Sequence, residues 1–140
     1  MAQRNLEVVQ GLYAAFARGD GAAVLAGMDP GIIWNEAESF PYADRNPYVG
    51  PMAVAEGLFF RLATEWENFQ AIPEIFLDAG DTIVVLGRYR GKYKTTGIAI
   101  NAQFAHVWRV KNGKITNFQQ YTDTAQAVNA VAGKRAAVAS

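Results

Sequence analysis

Residues 104–121 read FAHVWRVKNGKITNFQQY, and this stretch decides the fold. The Asn112-Gly113 pair is the favoured two-residue turn of a β-hairpin, so a strand over 97–110 is expected to pair with one over 114–121. This turn sets the register and places eight side chains on one face of the hairpin. The expected pairs are Val110 with Ile115, Trp108 with Asn117, His106 with Gln119, and Phe104 with Tyr121.

The segments before this hairpin extend the sheet and supply the helices that cover it. Alternating apolar residues between turn signals predict further strands over 32–37, 68–78 and 81–93. Apolar residues at helical spacing predict helices over 5–18, 21–27 and 52–65. Residues 39–51 contain three prolines and are expected to form an ordered loop over a pocket. This order predicts an α+β fold in which N-terminal helices cover a cone-shaped, curved antiparallel sheet and enclose an apolar pocket.

Length and composition predict one domain and narrow the range of partners. We interpret the 140 residues as a single domain, with a core over about 6–124 and an alanine-rich helix or tail over 125–140. Thirteen basic residues balance thirteen acidic ones, which disfavours binding to nucleic acid. No apolar run approaches the roughly 20 residues of a membrane span, and the first residues carry no secretory pattern. We therefore expect a cytoplasmic protein without a membrane partner.

Several classes of chemistry lack the residues that they need. The chain has no cysteine, and its two serines, Ser39 and Ser140, are not in a nucleophile motif, which argues against a serine or cysteine hydrolase. A single histidine cannot build the common zinc sites, and no carboxylate spacing matches a calcium loop. The glycines near Gly19 follow a helix and lack the dinucleotide pattern. We expect neither a metal nor a cofactor.

Glu36 is the first candidate catalytic residue. It lies two residues after Trp34, so in a strand both side chains share one face. A carboxylate beside an indole in a dry pocket has its ionised form disfavoured, which is how a general base is tuned. The alternative is that Glu36 lies in water near the end of the strand or pairs with an arginine.

His106 is the second candidate, with Asp123 as a third. His106 lies between Phe104 and Trp108 on one strand face and could stabilise an oxyanion or transfer a proton, although a lone histidine in a sheet can also be a satisfied core residue. Asp123 follows Tyr121 on the same expected face and could orient His106 or act as a base. The Asp123-Thr124 pair is equally a helix N-cap.

Aromatic and amide side chains are expected to form the ligand-binding wall of the pocket. This set consists of Tyr13, Phe16, Trp34, Phe104, Trp108, Gln119 and Tyr121. The same aromatic residues could instead be ordinary core residues that fill the pocket. Either way, the expected partner is a small hydrophobic ligand.

The chain resembles the SnoaL-like branch of the nuclear transport factor two superfamily over residues 6–124. The motifs that carry the resemblance are Ala17-Arg18-Gly19-Asp20, Ile32-Ile33-Trp34-Asn35-Glu36, Phe40-Pro41-Tyr42, and the hairpin from Phe104 to Ile115. The resemblance implies a cone-shaped α+β barrel with a deep pocket, which usually forms homodimers through the sheet. Members include ketosteroid isomerases, polyketide cyclases, dehydratases, epoxide hydrolases and non-catalytic binding proteins, so the fold alone does not name the activity.

The resemblance also implies roles for individual residues. Glu36 falls where the ketosteroid isomerases have their proton-shuttling aspartate, and His106 falls where they have a protonated aspartate that binds the oxyanion. Their oxyanion tyrosine aligns near Leu12, so Tyr13, one step on, is expected to be rotated away from that position. In the SnoaL-like cyclases a histidine and an aspartate move protons, which His106 with either Asp123 or Glu36 would supply.

Two functions follow as hypotheses. The first is a cofactor-independent acid–base enzyme, of the isomerase, cyclase or dehydratase type, that acts on a small hydrophobic carbonyl compound. The second is a non-catalytic homodimeric module of the same fold that binds a small ligand or a partner.

Overall fold

The N-terminal part of the chain forms two helices, as the apolar spacing predicts. The computed structural model describes residues 4–135, in which α1 spans Asn5–Ala17 and α2 spans Gly21–Ala26. The turn between them contains Gly19 at a φ of 73°, a left-handed conformation that glycine adopts without strain. The Asp20 side chain then caps α2 by accepting a hydrogen bond from the backbone N–H of Ala23.

Six strands form one curved sheet in the order β2-β1-β6-β5-β4-β3. Their bounds are β1 Met28–Asn35, β2 Tyr48–Val49, β3 Trp66–Ala79, β4 Thr82–Tyr93, β5 Ala99–Lys111 and β6 Lys114–Thr122. The four long strands from β3 to β6 form the predicted antiparallel meander. The first strand pairs in parallel with β6 and antiparallel with the short β2.

The segment between β1 and β3 is more regular than predicted. Residues 39–51 were expected to lack regular structure, but they contain a 3₁₀ turn at Pro41–Arg45 and the strand β2. The predicted third helix runs from α3 (Pro51–Val54) through a π-helical turn at Ala55–Phe59 into α4 (Phe60–Glu65). Such π turns recur at functional sites because they shift the side chains that follow them.

The register of the deciding hairpin differs from the prediction after its first pair. Val110 pairs with Ile115 as expected, but Arg109 then pairs with Asn117, which leaves Thr116 as the extra residue of a β-bulge. The bulge turns the apolar Phe118 into the core, where the predicted register would have placed Asn117. Burying a phenyl ring rather than an amide is the physical reason for the shift.

The inner face of the sheet and the helices bury one continuous core. On β5 the buried residues alternate with exposed or half-buried ones, as expected for a strand with one face toward the core. The last helix, α5 (Thr124–Ala132), ends at Gly133 in a left-handed conformation and packs near β5, whereas residues 136–140 of the predicted tail lie outside the described residues. No helix within residues 4–135 is long and apolar enough to cross a membrane. The predicted α+β cone is confirmed.

Candidate functional site

A cavity of about 40 Å³ lies between the inner face of the sheet and the helices. Its polar lining consists of Tyr13, Glu36, Tyr89, His106 and Gln120. Its apolar lining consists of Leu12, Phe16, Trp34, Phe40, Leu58, Phe59, Leu62, Phe69, Ala71, Trp108 and Phe118. This volume holds only a few water-sized groups, because the aromatic side chains fill most of the cone.

The backbone of Glu36 is fixed at the end of β1. Its N–H donates to Oδ1 of Asn46 over 2.9 Å, and its carbonyl accepts from Nδ2 of the same amide over 2.8 Å. The side chain is 3% exposed, and its Oε2 accepts a hydrogen bond of 3.1 Å from the indole N–H of Trp34. The predicted juxtaposition of carboxyl and indole is therefore present, although Glu36 lies one residue beyond the strand rather than inside it.

Burial makes the Glu36 carboxyl titrate near neutrality. Loss of hydration raises its pKa from 4.5 to about 8, while the Trp34 hydrogen bond and the charge of Arg61 oppose the rise. At pH 7 the carboxyl is mostly protonated, and a minor fraction of the molecules carries the ionised form. A group with such a pKa can both accept and return a proton near neutral pH.

His106 lies deeper in the cone and bonds to two tyrosines. Its ring stacks on Phe104 with centroids 3.8 Å apart and an interplanar angle of 8°. The Nδ1 atom is hydrogen-bonded to the Tyr13 hydroxyl, and Nε2 lies 2.5 Å from the Tyr89 hydroxyl. Burial lowers the pKa of His106 well below its usual value, so the imidazole is neutral at pH 7.

A second layer of donors supports the two tyrosines. The indole N–H of Trp108 donates to the Tyr13 hydroxyl over 3.0 Å, and Nε2 of Gln120 donates to the Tyr89 hydroxyl over 2.8 Å. Oε1 of Gln120 accepts from the backbone N–H of Ala37 over 3.0 Å, which fixes the orientation of the amide. Among residues 4–135, every deeply buried side-chain nitrogen or oxygen has a hydrogen-bond partner.

Tyr13 contradicts the expectation that it is rotated away from the oxyanion position. Its hydroxyl reaches both His106 and Trp108, and the residue is 4% exposed. The resemblance places the oxyanion tyrosine near Leu12, and one residue along a helix is a rotation of about 100°. Tyr13 therefore joins His106 in the cavity wall.

The β-bulge moves two predicted wall residues out of the pocket. Gln119 and Tyr121 were expected to share the face of His106, but Gln120 is the residue opposite it. Tyr121 is 57% exposed on the outer face of the sheet. The correction follows from the single inserted residue, since a shift of one residue exchanges the two faces of a strand.

Asp123 is not brought together with Glu36 and His106. It lies outside the cavity lining, at the junction of β6 and α5, where its Oδ2 accepts a hydrogen bond of 2.8 Å from Nε2 of Gln126. It occupies the predicted N-cap position but makes no side-chain capping bond. No group of three or more His, Asp or Glu side chains that could hold a metal occurs within residues 4–135.

The remaining aromatic predictions divide between the wall and the layer behind it. Tyr13, Phe16, Trp34 and Trp108 line the cavity, whereas Phe104 packs behind His106. Sequence reasoning missed Tyr89, Gln120 and Phe59. The alternation of β4 could have identified Tyr89, because the buried Ile83 and Val85 lie on the same face six and four residues earlier.

A second hollow of about 320 Å³ lies beside the cavity, near the turn between α1 and α2. The two spaces share four apolar side chains: Phe16, Phe59, Leu62 and Phe69. The rings of Phe16 and Phe59 meet edge to face with centroids 5.7 Å apart. We refer to this hollow as the vestibule and to these two rings as the Phe16–Phe59 pair.

Comparisons with known proteins identify the family and the fold. The family model of the SnoaL-like domain matches residues 9–118. An NTF2-like protein from Burkholderia thailandensis E264 is 38% identical, with a TM-score of 0.88 over 92% of this chain and 98% of that one. No curated protein matches the sequence significantly.

Two more distant structures share the fold alone. TerC, co-crystallised with polyporic acid, is 24% identical with a TM-score of 0.80 over 91% of this chain and 98% of TerC. A candidate SnoaL-like polyketide cyclase from Jannaschia sp. CCS1 is 16% identical with a TM-score of 0.79 over 96% of this chain and 95% of that one. At these identities the similarity is evidence for architecture rather than activity.

Proposed function

This chain belongs to the SnoaL-like domain family, and on that premise we propose that it is a cofactor-independent acid–base enzyme acting on a small hydrophobic carbonyl compound. The reaction would be of the isomerase, cyclase or dehydratase type. The observation that carries the proposal is that a carboxyl with a pKa of about 8 and a hydrogen-bonded imidazole–tyrosine cluster line the same buried cavity. Two groups with different protonation behaviour in one site are what a base and an oxyanion partner require.

In this proposal Glu36 is the general base. Its ionised form removes a proton from the carbon next to the ligand carbonyl. The protonated form returns it to another carbon in an isomerase, to a leaving group in a dehydratase, or, in a cyclase, to the alkoxide oxygen formed when the enolate carbon attacks a second carbonyl. His106 and its tyrosine partners stabilise the negative charge that develops on the carbonyl oxygen. We prefer Glu36 to Asp123 as the working carboxylate because Asp123 does not line the cavity.

The small volume of the cavity limits what can bind without rearrangement. A drug-sized ligand needs roughly 300 Å³ or more, and the cavity offers about 40 Å³. We propose that larger ligands enter from the vestibule by displacing the Phe16–Phe59 pair, with the carbonyl group inside and the apolar remainder in the vestibule. Phe59 ends the π-helical turn, where a change to regular α-helix would move its side chain.

Hydrogen–deuterium exchange at carbon tests the enzymatic proposal before the natural substrate is known. A set of small ketones, beginning with cyclohexanone, is incubated with the protein in deuterated buffer, and loss of the α-proton signal is followed by NMR. We expect catalysed exchange that falls about 100-fold or more in Glu36→Gln. Glu38→Gln is the matched control, because Glu38 is an exposed carboxyl two residues away. Equal rates for wild type and Glu36→Gln would overturn the role of Glu36.

A non-catalytic binding module is the second candidate. It is favoured because, within residues 4–135, every deeply buried side-chain nitrogen or oxygen already has at least one hydrogen-bond partner in the protein. This candidate is consistent with TerC, which was co-crystallised with a small molecule. Ligand binding measured by calorimetry, without exchange at carbon for any ketone of the set, would support this function over the first.

We also propose a homodimer that forms through the outer face of the sheet. This face exposes apolar side chains on three of its strands: Ile72, Ile75 and Leu77 on β3, Tyr121 on β6 and Ile33 on β1. Exposed apolar side chains gathered on one face of a sheet are typical of an interaction surface. Light scattering should give the mass of a dimer for wild type and of a monomer for Leu77→Lys, while a monomeric wild type would contradict the proposal.

A further inference from the structure

The hydrogen bonds around His106 leave one hydroxyl proton without a partner. Nδ1 is bonded to the Tyr13 hydroxyl, and Nε2 is 2.5 Å from the Tyr89 hydroxyl. A neutral imidazole carries one N–H and one lone pair. One tyrosine must therefore donate to His106, and the other must accept from it.

The tyrosine that accepts keeps its own hydroxyl proton. That proton cannot be given to the second-layer partners, because both are donors: the Trp108 indole N–H toward Tyr13 and the Gln120 amide toward Tyr89. The amide cannot be reversed, since its oxygen is held by the backbone N–H of Ala37. No described residue accepts a hydrogen bond from either hydroxyl other than His106. Both tyrosines line the cavity, so the remaining proton is available there.

We infer that one tyrosine hydroxyl of this cluster is the hydrogen-bond donor to a ligand oxygen in the cavity, and that the tautomer of His106 selects which tyrosine it is. With the proton on Nδ1, Tyr13 accepts from His106 and donates to the ligand. With the proton on Nε2, Tyr89 does so. His106 has both nitrogens occupied and is thus a positioning residue, while the tyrosine contacts the ligand.

This arrangement also restricts the ligand group at this end of the cavity. The oxygen of this hydroxyl already accepts two hydrogen bonds, so the group can only donate to a ligand. It therefore favours a ligand acceptor, such as a carbonyl or enolate oxygen, over an amine or ammonium group. Naming that acceptor as the reacting carbonyl rests on the proposed function. The hydrogen-bond count itself does not, because it concerns the protein without ligand.

Nitrogen NMR of the histidine ring tests the tautomer directly and without substrate. The chain has one histidine, so a tag-free protein labelled with ¹⁵N-histidine gives one unambiguous pair of ring signals. In Tyr89→Phe we expect the proton on Nδ1, where Tyr13 can accept it. In Tyr13→Phe we expect it on Nε2, because a buried N–H without an acceptor is more costly than a bare lone pair. Tyr121→Phe removes an exposed hydroxyl and should keep the wild-type signals.

Two results would overturn the inference. One is the same tautomer in Tyr13→Phe and Tyr89→Phe; the other is a doubly protonated ring in wild type at pH 7. Because no ketone is present, these results are independent of whether the protein is an enzyme. Failure of the proposed function would instead appear as no exchange at carbon with the expected tautomers intact.

The two-tyrosine scheme further predicts how the variants combine. Each single phenylalanine variant retains one free hydroxyl donor, so ketone exchange should fall by less than about 10-fold. The double variant has none and should lose about 100-fold or more, a greater effect than the product of the single losses. If the loss of exchange rate in the double variant equals the product of the two single losses, the shared role of the tyrosines is overturned. If the double variant does not fold, the His106 tautomers of the two single variants decide.

Discussion

The two polar clusters of the cavity differ in the hydrogen-bonding group that each leaves free within the described residues: a tyrosine hydroxyl proton at the His106 end and the Oε1 oxygen at the Glu36 end. At the His106 end, each ring nitrogen has a tyrosine partner and each tyrosine has a second donor. At the Glu36 end, Oε2 has the Trp34 indole, and no group within residues 4–135 donates to Oε1. Both groups are buried, yet burial raises the pKa of Glu36 and lowers that of His106. Desolvation disfavours the charged form in each case, so the same physical cause makes one group titratable near neutrality and keeps the other neutral.

The pH dependence of stability should give the largest difference between the clusters. The folded-state pKa of Glu36, about 8, lies above the unfolded value of 4.5, so its contribution to the free energy of unfolding is full below pH 4.5 and is lost as pH rises through 8. The slope is at most about 1.4 kcal/mol per pH unit, and integration between pH 5 and 8 gives about 3–4 kcal/mol.

Glu36→Gln removes this loss, so relative to wild type it should gain stability as pH rises. Urea denaturation of both proteins at several pH values measures the difference, and Glu38→Gln should run parallel to wild type. A constant offset between Glu36→Gln and wild type across pH 5–8 would show that Glu36 is not a buried, titrating carboxyl.

Removing the imidazole should be the next largest effect. His106→Ala leaves a cavity beside Phe104 and removes the partner of two buried hydroxyls, which should lower the free energy of unfolding by about 3 kcal/mol or more. The loss should shrink below pH 6.5, because wild type itself loses stability there: its unfolded state binds a proton that the neutral, buried His106 does not.

Titration of His106 lowers the stability of wild type as pH falls, whereas titration of Glu36 lowers it as pH rises. Urea denaturation at pH 5 and pH 7.5 measures the loss for His106→Ala, with Gln119→Ala on the outer part of β6 as the control expected to change little. A loss for His106→Ala that is larger at pH 5 than at pH 7.5 would contradict a neutral imidazole.

The sequence predicts the Glu36 end of the site better than the His106 end. Placing Glu36 beside Trp34 needs only the local alternation of one strand, and the structure has that contact. The partners of His106 come instead from α1, β4 and β6, so their identity depends on helix rotation and strand register. The hairpin turn fixes Val110 opposite Ile115 correctly, but the bulge at Thr116 reverses every later residue of β6. The predicted register places Phe118, a large apolar residue, on the outer face of the sheet and the amide of Asn117 on the inner face. This mismatch is the signal in the sequence that indicates a bulge.

A pair of neighbouring glutamines tests that register by stability. Gln120→Leu should lower the free energy of unfolding by about 1–3 kcal/mol, because it leaves the Ala37 backbone N–H without its acceptor and removes the donor to Tyr89. Gln119→Leu should have an effect within about 0.5 kcal/mol, since within residues 4–135 its side chain bonds only the adjacent backbone carbonyl of Gln120. Thermal denaturation of both variants measures the two losses. A larger loss for Gln119→Leu than for Gln120→Leu would support the predicted register without a bulge.

The smallest expected effect separates the two indoles of the cavity. Trp34 donates to Glu36 and Trp108 donates to Tyr13, so the two N–H groups serve different clusters. Trp34→Phe removes the side-chain hydrogen bond that stabilises the ionised carboxylate, and the pKa of Glu36 should rise above about 8 by up to about one unit. Trp108→Phe removes an indole of the same size and should leave that pKa unchanged. Carbon NMR of the ¹³C-labelled carboxyl, followed from pH 5 to 10, measures both. Equal shifts in the two variants would mean that the clusters are coupled and that Glu36 and His106 titrate as one unit rather than as two separate ends of the cavity.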